Sequence, residues 1–335
     1  MKSNIHKITV IGDGGWGTTL AVHLQKKNYH VTLWGPFPEY IKEIESTRIN
    51  SKFLPGITIP KEIILTSDLA SALKGSELIV FAIPSKYAID VIKKIKLADV
   101  DLSKKIILSV TKGIDTEKLL RISELIQKEL KKVPFAVLSG PTIASEVARE
   151  IPSTAVIAAK DARLAKKIQT IFNSDYFRIY TNTDIIGVEV GGSLKNVIAI
   201  ACGVCDGLGF GTNTKSAIMT RGLKEMTTLG LKLGAKKETF YGLTGLGDLI
   251  TTCTNTNSRN RTVGEALGKG QSIDNILNSM SMVAEGVETV KAAYRLGKKY
   301  KSPMPITDEV YNIIYKNKSP KDAVKNLMTR QMRSE

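Results

Sequence analysis

The sequence predicts an α/β chain in two parts: a doubly wound, mostly parallel sheet over residues 1–183, then an all-helical domain over residues 184–335. Three observations predict it. Short apolar runs alternate with helical patterns through the first half. A glycine-rich turn follows directly on the first of those runs. After Thr183 strand alternation stops and helical periods of apolar residues take over. At 335 residues the chain is long enough for more than one core.

The elements follow in order. Ile8–Ile11 is a strand, Trp16–Lys27 a helix and His30–Trp34 the next strand. Ile63–Leu65 and Leu78–Ala82 are strands, with a short helix from Asp68 to Lys74 between them. Lys86–Lys94 reads as a helix, Ile106–Val110 as a strand and Thr116–Lys131 as a helix. Ala136–Ser139 and Ala155–Ala159 are strands flanking a short helix at Ile143–Arg149. Ala162–Phe172 is a helix and Phe177–Tyr180 the last strand. Asp184 is placed to cap the helix that follows. Thr214–Lys232, Val263–Leu267, Gly286–Lys299, Asp308–Tyr315 and Pro320–Met328 are further helices; Ser319-Pro320 and Asp322 give the last a strong start signal.

Composition narrows the function classes. The apolar runs at Val197–Val204 and Leu78–Ile83 end too soon to span a bilayer. The N-terminal residues carry no signal-peptide core, so a cytoplasmic protein without membrane insertion is expected. Three cysteines fit a reducing compartment. Cys202 and Cys205 have C-x-x-C spacing, but no second Cys or His pair stands nearby, so packing rather than metal binding is expected. The net charge of +16 is spread along the length without interleaved aromatics. That reads as a solvated surface attractive to anionic ligands, not a nucleic-acid footprint.

Gly12-Asp-Gly14-Gly15-Trp16-Gly17 follows a strand and opens a helix, the context a dinucleotide site requires. Gly12 allows the tight turn, Gly14 lets backbone approach a pyrophosphate, and Gly17 lets helix and strand pack closely. The helix N-terminus faces the negative charge. The first domain is therefore read as Rossmann-type. The second strand ends in Gly35-Pro36, with neither the acid that marks NAD nor the arginine that marks NADP, so the cofactor is NAD or NADP.

Lys195 is the most informative side chain. It stands in Gly187-Val-Glu-Val-Gly-Gly-Ser-Leu-Lys195-Asn196, a helix small and apolar almost all round. Its helical neighbours are Gly191, Gly192, Ile198 and Ala199, so no carboxylate on the same helix pairs with it. Either it snorkels to water or something else, such as a ligand in the space beside the two glycines, partners it. Three further segments have the look of a site. Lys112 follows a strand end, where ligands bind in open sheets, or is simply solvated. Gly140 to Ala144 turns from a strand into a helix with backbone N–H groups suited to an anion. Asp248 sits in a glycine-rich apolar run, as an orienting acid or a helix cap, and Ser258-Arg259-Asn260-Arg261 offers guanidinium groups for a phosphate or plain surface charge.

Taken together these segments resemble the soluble, bacterial-type NAD(P)-dependent glycerol-3-phosphate dehydrogenases. The similar stretches cover nearly the full length. They include Ile8 to Thr18, Phe53-Leu-Pro-Gly56, Ala82-Ile-Pro-Ser85, Thr111-Lys-Gly113 and Ser139-Gly-Pro-Thr142. They continue through Gly191-Gly-Ser-Leu-Lys-Asn196, Cys205 to Gly211, Gly247 to Cys253, Ser258-Arg-Asn260 and Val283 to Thr289. The resemblance implies interconversion of dihydroxyacetone phosphate and NAD(P)H with sn-glycerol 3-phosphate and NAD(P)+, supplying phospholipid synthesis, by a homodimer. It implies Lys195 as proton donor and acceptor and Lys112 as a contact to substrate and cofactor. Gly140, Thr142, Asp248, Ser258, Arg259 and Asn260 would line the substrate site. Gly15, Trp16, Lys112, Ala144, Arg259, Val283 and Glu285 would contact the nucleotide. Asn196 and Thr252 are expected as polar support for Lys195. A free lysine titrates near ~10.4; apolar surroundings and cations such as Lys112 are expected to bring Lys195 toward neutrality. Two departures stand out: Gly35-Pro36 lacks the basic residue common after the second strand, and Thr142 replaces a common serine. The competing readings are another hydroxyacid-type dehydrogenase on the same plan and a non-catalytic nucleotide sensor.

Overall fold

The computed structural model describes residues 5–280, 284–332 and 334. The chain divides into two compact units, Met1–Lys112 with Leu120–Glu189, and Gly113–Leu119 with Val190–Glu335.

The first unit is an eight-stranded sheet wrapped by helices. It begins with β1 (Lys7–Ile11), α1 (Gly15–Lys26), β2 (His30–Trp34) and α2 (Pro38–Thr47), followed by a two-stranded ribbon of β3 (Ile49–Asn50) and β4 (Leu54–Thr58). Next come β5 (Ile64–Thr66), α3 (Leu69–Leu73), β6 (Leu78–Phe81), α4 (Ser85–Leu97) and β7 (Ile106–Ser109). Then follow α5 (Ile122–Leu130), β8 (Phe135–Ser139), α6 (Ala144–Ala148), β9 (Ser153–Ala158), α7 (Ala162–Phe172) and β10 (Phe177–Asn182). The spatial order is β10-β9-β8-β7-β6-β1-β2-β5. Every pairing is parallel except β8 with β9. All four residues of β6 and of β7 are buried, as expected for strands covered on both faces. The chain direction across the sheet reverses between β1 and β6, which opens a crevice at the carboxyl ends of those strands.

Two features of this unit depart from the sequence reading. The helix expected over Thr116–Lys131 starts only at Ile122. Leu119 adopts a left-handed backbone, φ 55°, and Glu124 accepts a hydrogen bond from the Arg121 N–H, which fixes the helix start there. Pro38–Thr47 is a helix the reading passed over. Proline occupies its first turn, Glu39 stands beside it, and Tyr40, Ile41 and Ile44 are buried on one face.

From Val190 onward the regular elements of the second unit are helices among its described residues. It contains α8 (Ile185–Gly207) from Val190 on, α9 (Thr212–Lys232), α10 (Lys237–Tyr241), a π turn (Leu243–Gly247) and α11 (Asp248–Thr254). After these come α12 (Arg259–Gly268), α13 (Ile273–Ser279), α14 (Glu285–Lys299), α15 (Pro305–Lys316) and α16 (Pro320–Met328). Asp184 caps α8 by accepting from the Gly187 N–H at 2.8 Å. The apolar stretch is longer than its uninterrupted runs suggest: α8 spans 23 residues with a window of mean hydropathy 1.5, enough to cross a bilayer by length and composition. That window is almost wholly buried inside the protein, so α8 is the unit's core helix. The backbone of α12 lies directly on it, because a Cβ on Gly264 would meet the Ile200 carbonyl oxygen at 2.0 Å.

Candidate active site

On the first unit the candidate residues collect at the carboxyl edge of the sheet. Gly12 has φ +116°, and a Cβ there would meet the Ala82 carbonyl oxygen at 2.5 Å. A Cβ on Gly17 would meet the Gly12 oxygen at 1.9 Å, so both glycines are required by the close passage of β1, β6 and α1. Gly14 differs: a Cβ there meets no atom of the described residues within 4 Å. It faces open space at the N-terminus of α1, where backbone can approach a pyrophosphate. Gly15 and Ala144 stand together, with 3.8 Å between the Ala144 Cβ and the Cβ a residue at 15 would carry, and Thr19 donates to the Ala144 oxygen at 3.1 Å. Trp16 packs edge-on to Phe177, and its buried Nε1 has no hydrogen-bond partner among the described residues. The residues present therefore fit a dinucleotide: a cradle free of side chains, a helix N-terminus and an unsatisfied buried donor beside it.

The sequence reading missed Asn50, which holds this turn in place. Its amide donates to the Asp13 oxygen at 2.7 Å and to Thr18 Oγ1 at 2.8 Å, while its Oδ1 accepts from Tyr40 Oη at 2.6 Å. An asparagine in a polar stretch carries no signal by itself; only the fold puts it under the glycine turn.

Two strands away, Lys112 follows β7. Its ammonium group donates to the Gly140 oxygen at 2.9 Å and to Thr142 Oγ1 at 3.4 Å. Gly140, with φ +142°, turns the chain out of β8 so that Thr142 comes back toward Lys112. Lys112, Gly140 and Thr142 thus form one cluster, in which the Lys112 side chain is half-buried.

On the second unit Lys195 is buried, 5% exposed, and does not snorkel to water. Its Nζ lies 2.6 Å from Asp248 Oδ1 and 2.6 Å from Thr252 Oγ1. The partner left open by the sequence reading is therefore a carboxylate 53 residues away, that of Asp248. Asp248 and Thr252 lie one turn apart on α11, on the same face. The Thr252 hydroxyl donates to the Asp248 backbone oxygen at 2.7 Å, which leaves its lone pairs to accept from Lys195. The first of the two glycines before Lys195 also needs a corrected reading. A Cβ on Gly191 would meet the Thr244 carbonyl oxygen at 2.7 Å. Gly191 makes room for the π turn, whose close approach to α8 delivers Asp248 to Lys195; it does not make room for a ligand.

Beside Asn196, the residue after Lys195, two helix starts meet. Asn260 Oδ1 accepts from the Gly286 N–H at 2.9 Å, and a Cβ on Gly286 would lie 3.0 Å from the Asn196 oxygen. Asn196, Asn260 and the Glu285–Gly286 start of α14 are therefore neighbours. Ser258 caps α12, accepting from the Arg261 N–H at 3.4 Å. Arg261 does not extend the cationic grip: its Nε lies 2.6 Å from Asp206 Oδ2, and Lys215 neutralises the other Asp206 oxygen at 2.9 Å. Arg259, by contrast, is exposed at the first position of α12. Val283 lies outside the described residues.

Cys202, Cys205 and Cys253 are buried free thiols. Burial pushes the Cys205 thiol up to about 12, and a hydrogen bond with Cys253 together with burial raises Cys202. Groups of that kind are inert packing residues. Among the described residues no cluster of His, Cys, Asp and Glu is arranged for a metal ion.

Comparison with known proteins matches both parts of the chain. Residues 7–165 match the family description "NAD-dependent glycerol-3-phosphate dehydrogenase N-terminus", and residues 184–325 match "NAD-dependent glycerol-3-phosphate dehydrogenase C-terminus". The chain is 47% identical over 334 residues to glycerol-3-phosphate dehydrogenase (NAD(P)+) of Citrifermentans bemidjiense, covering 98% of each protein. It is 47% identical over 330 residues to the protein of the same name from Thermoanaerobacter sp., again covering 98% of each. Among solved structures, glycerol-3-phosphate dehydrogenase from Coxiella burnetii superposes with a TM-score of 0.94 at 36% identity, covering 97% of this chain and 99% of that one.

Proposed function

Because the chain belongs to the NAD-dependent glycerol-3-phosphate dehydrogenase family, we propose a division of labour in which Lys195 moves the proton and the glycine turn of the first unit holds the nucleotide. The protein is an NAD(P)-dependent oxidoreductase that interconverts dihydroxyacetone phosphate and sn-glycerol 3-phosphate. The observation that carries the catalytic assignment is the buried Lys195–Asp248–Thr252 cluster.

When bound, the nicotinamide supplies hydride to the C2 carbonyl carbon of dihydroxyacetone phosphate. Lys195 donates a proton to the C2 oxygen as negative charge builds there. Asp248 and Thr252 hold two of the ammonium N–H groups, so the direction in which the group can act is set before substrate arrives. In the oxidising direction the neutral amine takes the same proton back. Asn196, on the residue after Lys195, adds polar support.

Two groups of residues are suited to an anionic substrate. The Lys112 cluster with Gly140 and Thr142 brings a cation and a hydroxyl to the end of the sheet. Arg259, with Ser258 and Asn260 fixing the start of α12, presents a planar guanidinium suited to a phosphate. Gly12, Gly14, Gly15, Trp16, Gly17 and Ala144 hold the nucleotide, with Lys112, Arg259, Val283 and Glu285 as further contacts. The enzyme works as a cytoplasmic homodimer and supplies glycerol 3-phosphate for phospholipid synthesis.

A steady-state assay with dihydroxyacetone phosphate, run with NADH and with NADPH, tests this reading. Substrate-dependent oxidation of either nucleotide is the expected result. Turnover of a carboxylated keto acid without turnover of dihydroxyacetone phosphate would overturn it.

A further inference from the structure

In dinucleotide-binding sheets an acid at the end of the second strand, about 20 residues beyond the glycine turn, accepts from the adenosine ribose hydroxyls and marks NAD. Here that place is Gly35, directly after β2, and it has no side chain. The space is filled from elsewhere. A Cβ on Gly35 would lie 2.4 Å from Asp13 Oδ2 and 2.6 Å from Asp13 Cγ. Asp13 belongs to the glycine turn itself, and its carboxyl has come across to the end of β2. No side chain can grow from residue 35 while it is there.

Asp13 is 7% exposed, and Oδ2 is buried without a hydrogen-bond partner among the described residues. A buried acceptor left unsatisfied is costly, and a ligand donor relieves that cost. The backbone of Asp13 is locked by Asn50, so the carboxyl is held at this position from its own main chain outward. We propose that Asp13 sets nucleotide choice, accepting from the adenosine ribose hydroxyls and selecting NAD(H) over NADP(H). This rests on the dinucleotide assignment above.

Charge supports the same conclusion. Burial raises the Asp13 carboxyl to about 6, against the opposing pull of the Lys52 ammonium, so it is mostly ionised at neutral pH. An anion there welcomes hydroxyl donors and repels a 2′-phosphate. Lys52, placed over the Tyr40 ring at 4.4 Å, is the rival feature: a cation able to receive that phosphate.

Equilibrium binding of NAD+ and NADP+ to the full chain by calorimetry decides between them, without reference to turnover. The wild type is expected to bind NAD+ at least roughly tenfold more tightly than NADP+. Asp13→Asn should close that gap to within about threefold, weakening NAD+ and strengthening NADP+. Asp13→Ser gives the same readout if the amide variant does not fold. An unchanged ratio in both variants overturns the proposal. So does a wild-type preference for NADP+ that Lys52→Ala abolishes. Failure of the wild type to bind either nucleotide would overturn the dinucleotide assignment itself.

Discussion

Lys195 Nζ and Asp248 Oδ1 lie 2.6 Å apart, with their side chains 6% and 2% exposed. A charge pair so deep in a helical unit is held by mutual neutralisation. Removing one partner leaves the other charge buried alone, which typically costs about 3–5 kcal/mol. Asp248→Ala should therefore lose stability of that order in urea denaturation and lose turnover with it. Asp248→Asn keeps the shape and should lose less stability while still losing kcat. A stability loss under about 1 kcal/mol for Asp248→Ala would mean the pair is not the anchor described.

Arg259 and Arg261 stand two residues apart and behave differently. Arg261 is committed to Asp206, whereas Arg259 is exposed at the start of α12. Arg259→Ala should raise KM for dihydroxyacetone phosphate by roughly 10–100-fold, the loss of a charge-assisted contact of about 1.5–3 kcal/mol. The unphosphorylated ketone should be affected far less. Equal losses on both substrates would remove the phosphate role.

Glu225 supplies a pH-dependent term to the helical unit. It is buried, and it accepts from the N–H groups of Ile306 and Thr307 at the start of α15, at 2.6 and 3.2 Å. Burial raises its carboxyl to about 7, with those hydrogen bonds opposing. The folded state therefore binds the proton more tightly than the unfolded chain. Stability from this group is fully present below the unfolded value near 4.5 and is lost as pH rises to about 7. Urea titrations at a series of pH values should show wild type losing up to about 3 kcal/mol relative to Glu225→Gln across that window. Parallel pH profiles for the two proteins would contradict the raised carboxyl.

The sequence carried the sheet and the glycine turn because both depend on local pattern: alternating apolar runs, and a turn that only glycine permits. It carried Lys195 as an anomaly, a cation on an apolar helix. What it did not carry was the resolution of that anomaly. Asp248 is 53 residues away, and only the π turn passing over Gly191 brings it to Lys195. Separation in sequence likewise hid Asn50 beneath the glycine turn, 37 residues from Asp13, and Asp13 against Gly35. Arg261 looked like part of a phosphate grip because Asp206 is remote in the chain. Contacts of this range have no periodicity to announce them, whereas helix starts such as Ser319-Pro320 and Asp184 are legible within a few residues.

The central claim is that Lys195 moves the proton at C2. It is tested most directly by measuring kcat for dihydroxyacetone phosphate reduction in Lys195→Ala alongside the variant's nucleotide dissociation constant. The expected result is a fall in kcat of on the order of 10²–10⁴ with nucleotide affinity nearly unchanged. A kcat close to that of the wild type would contradict the assignment.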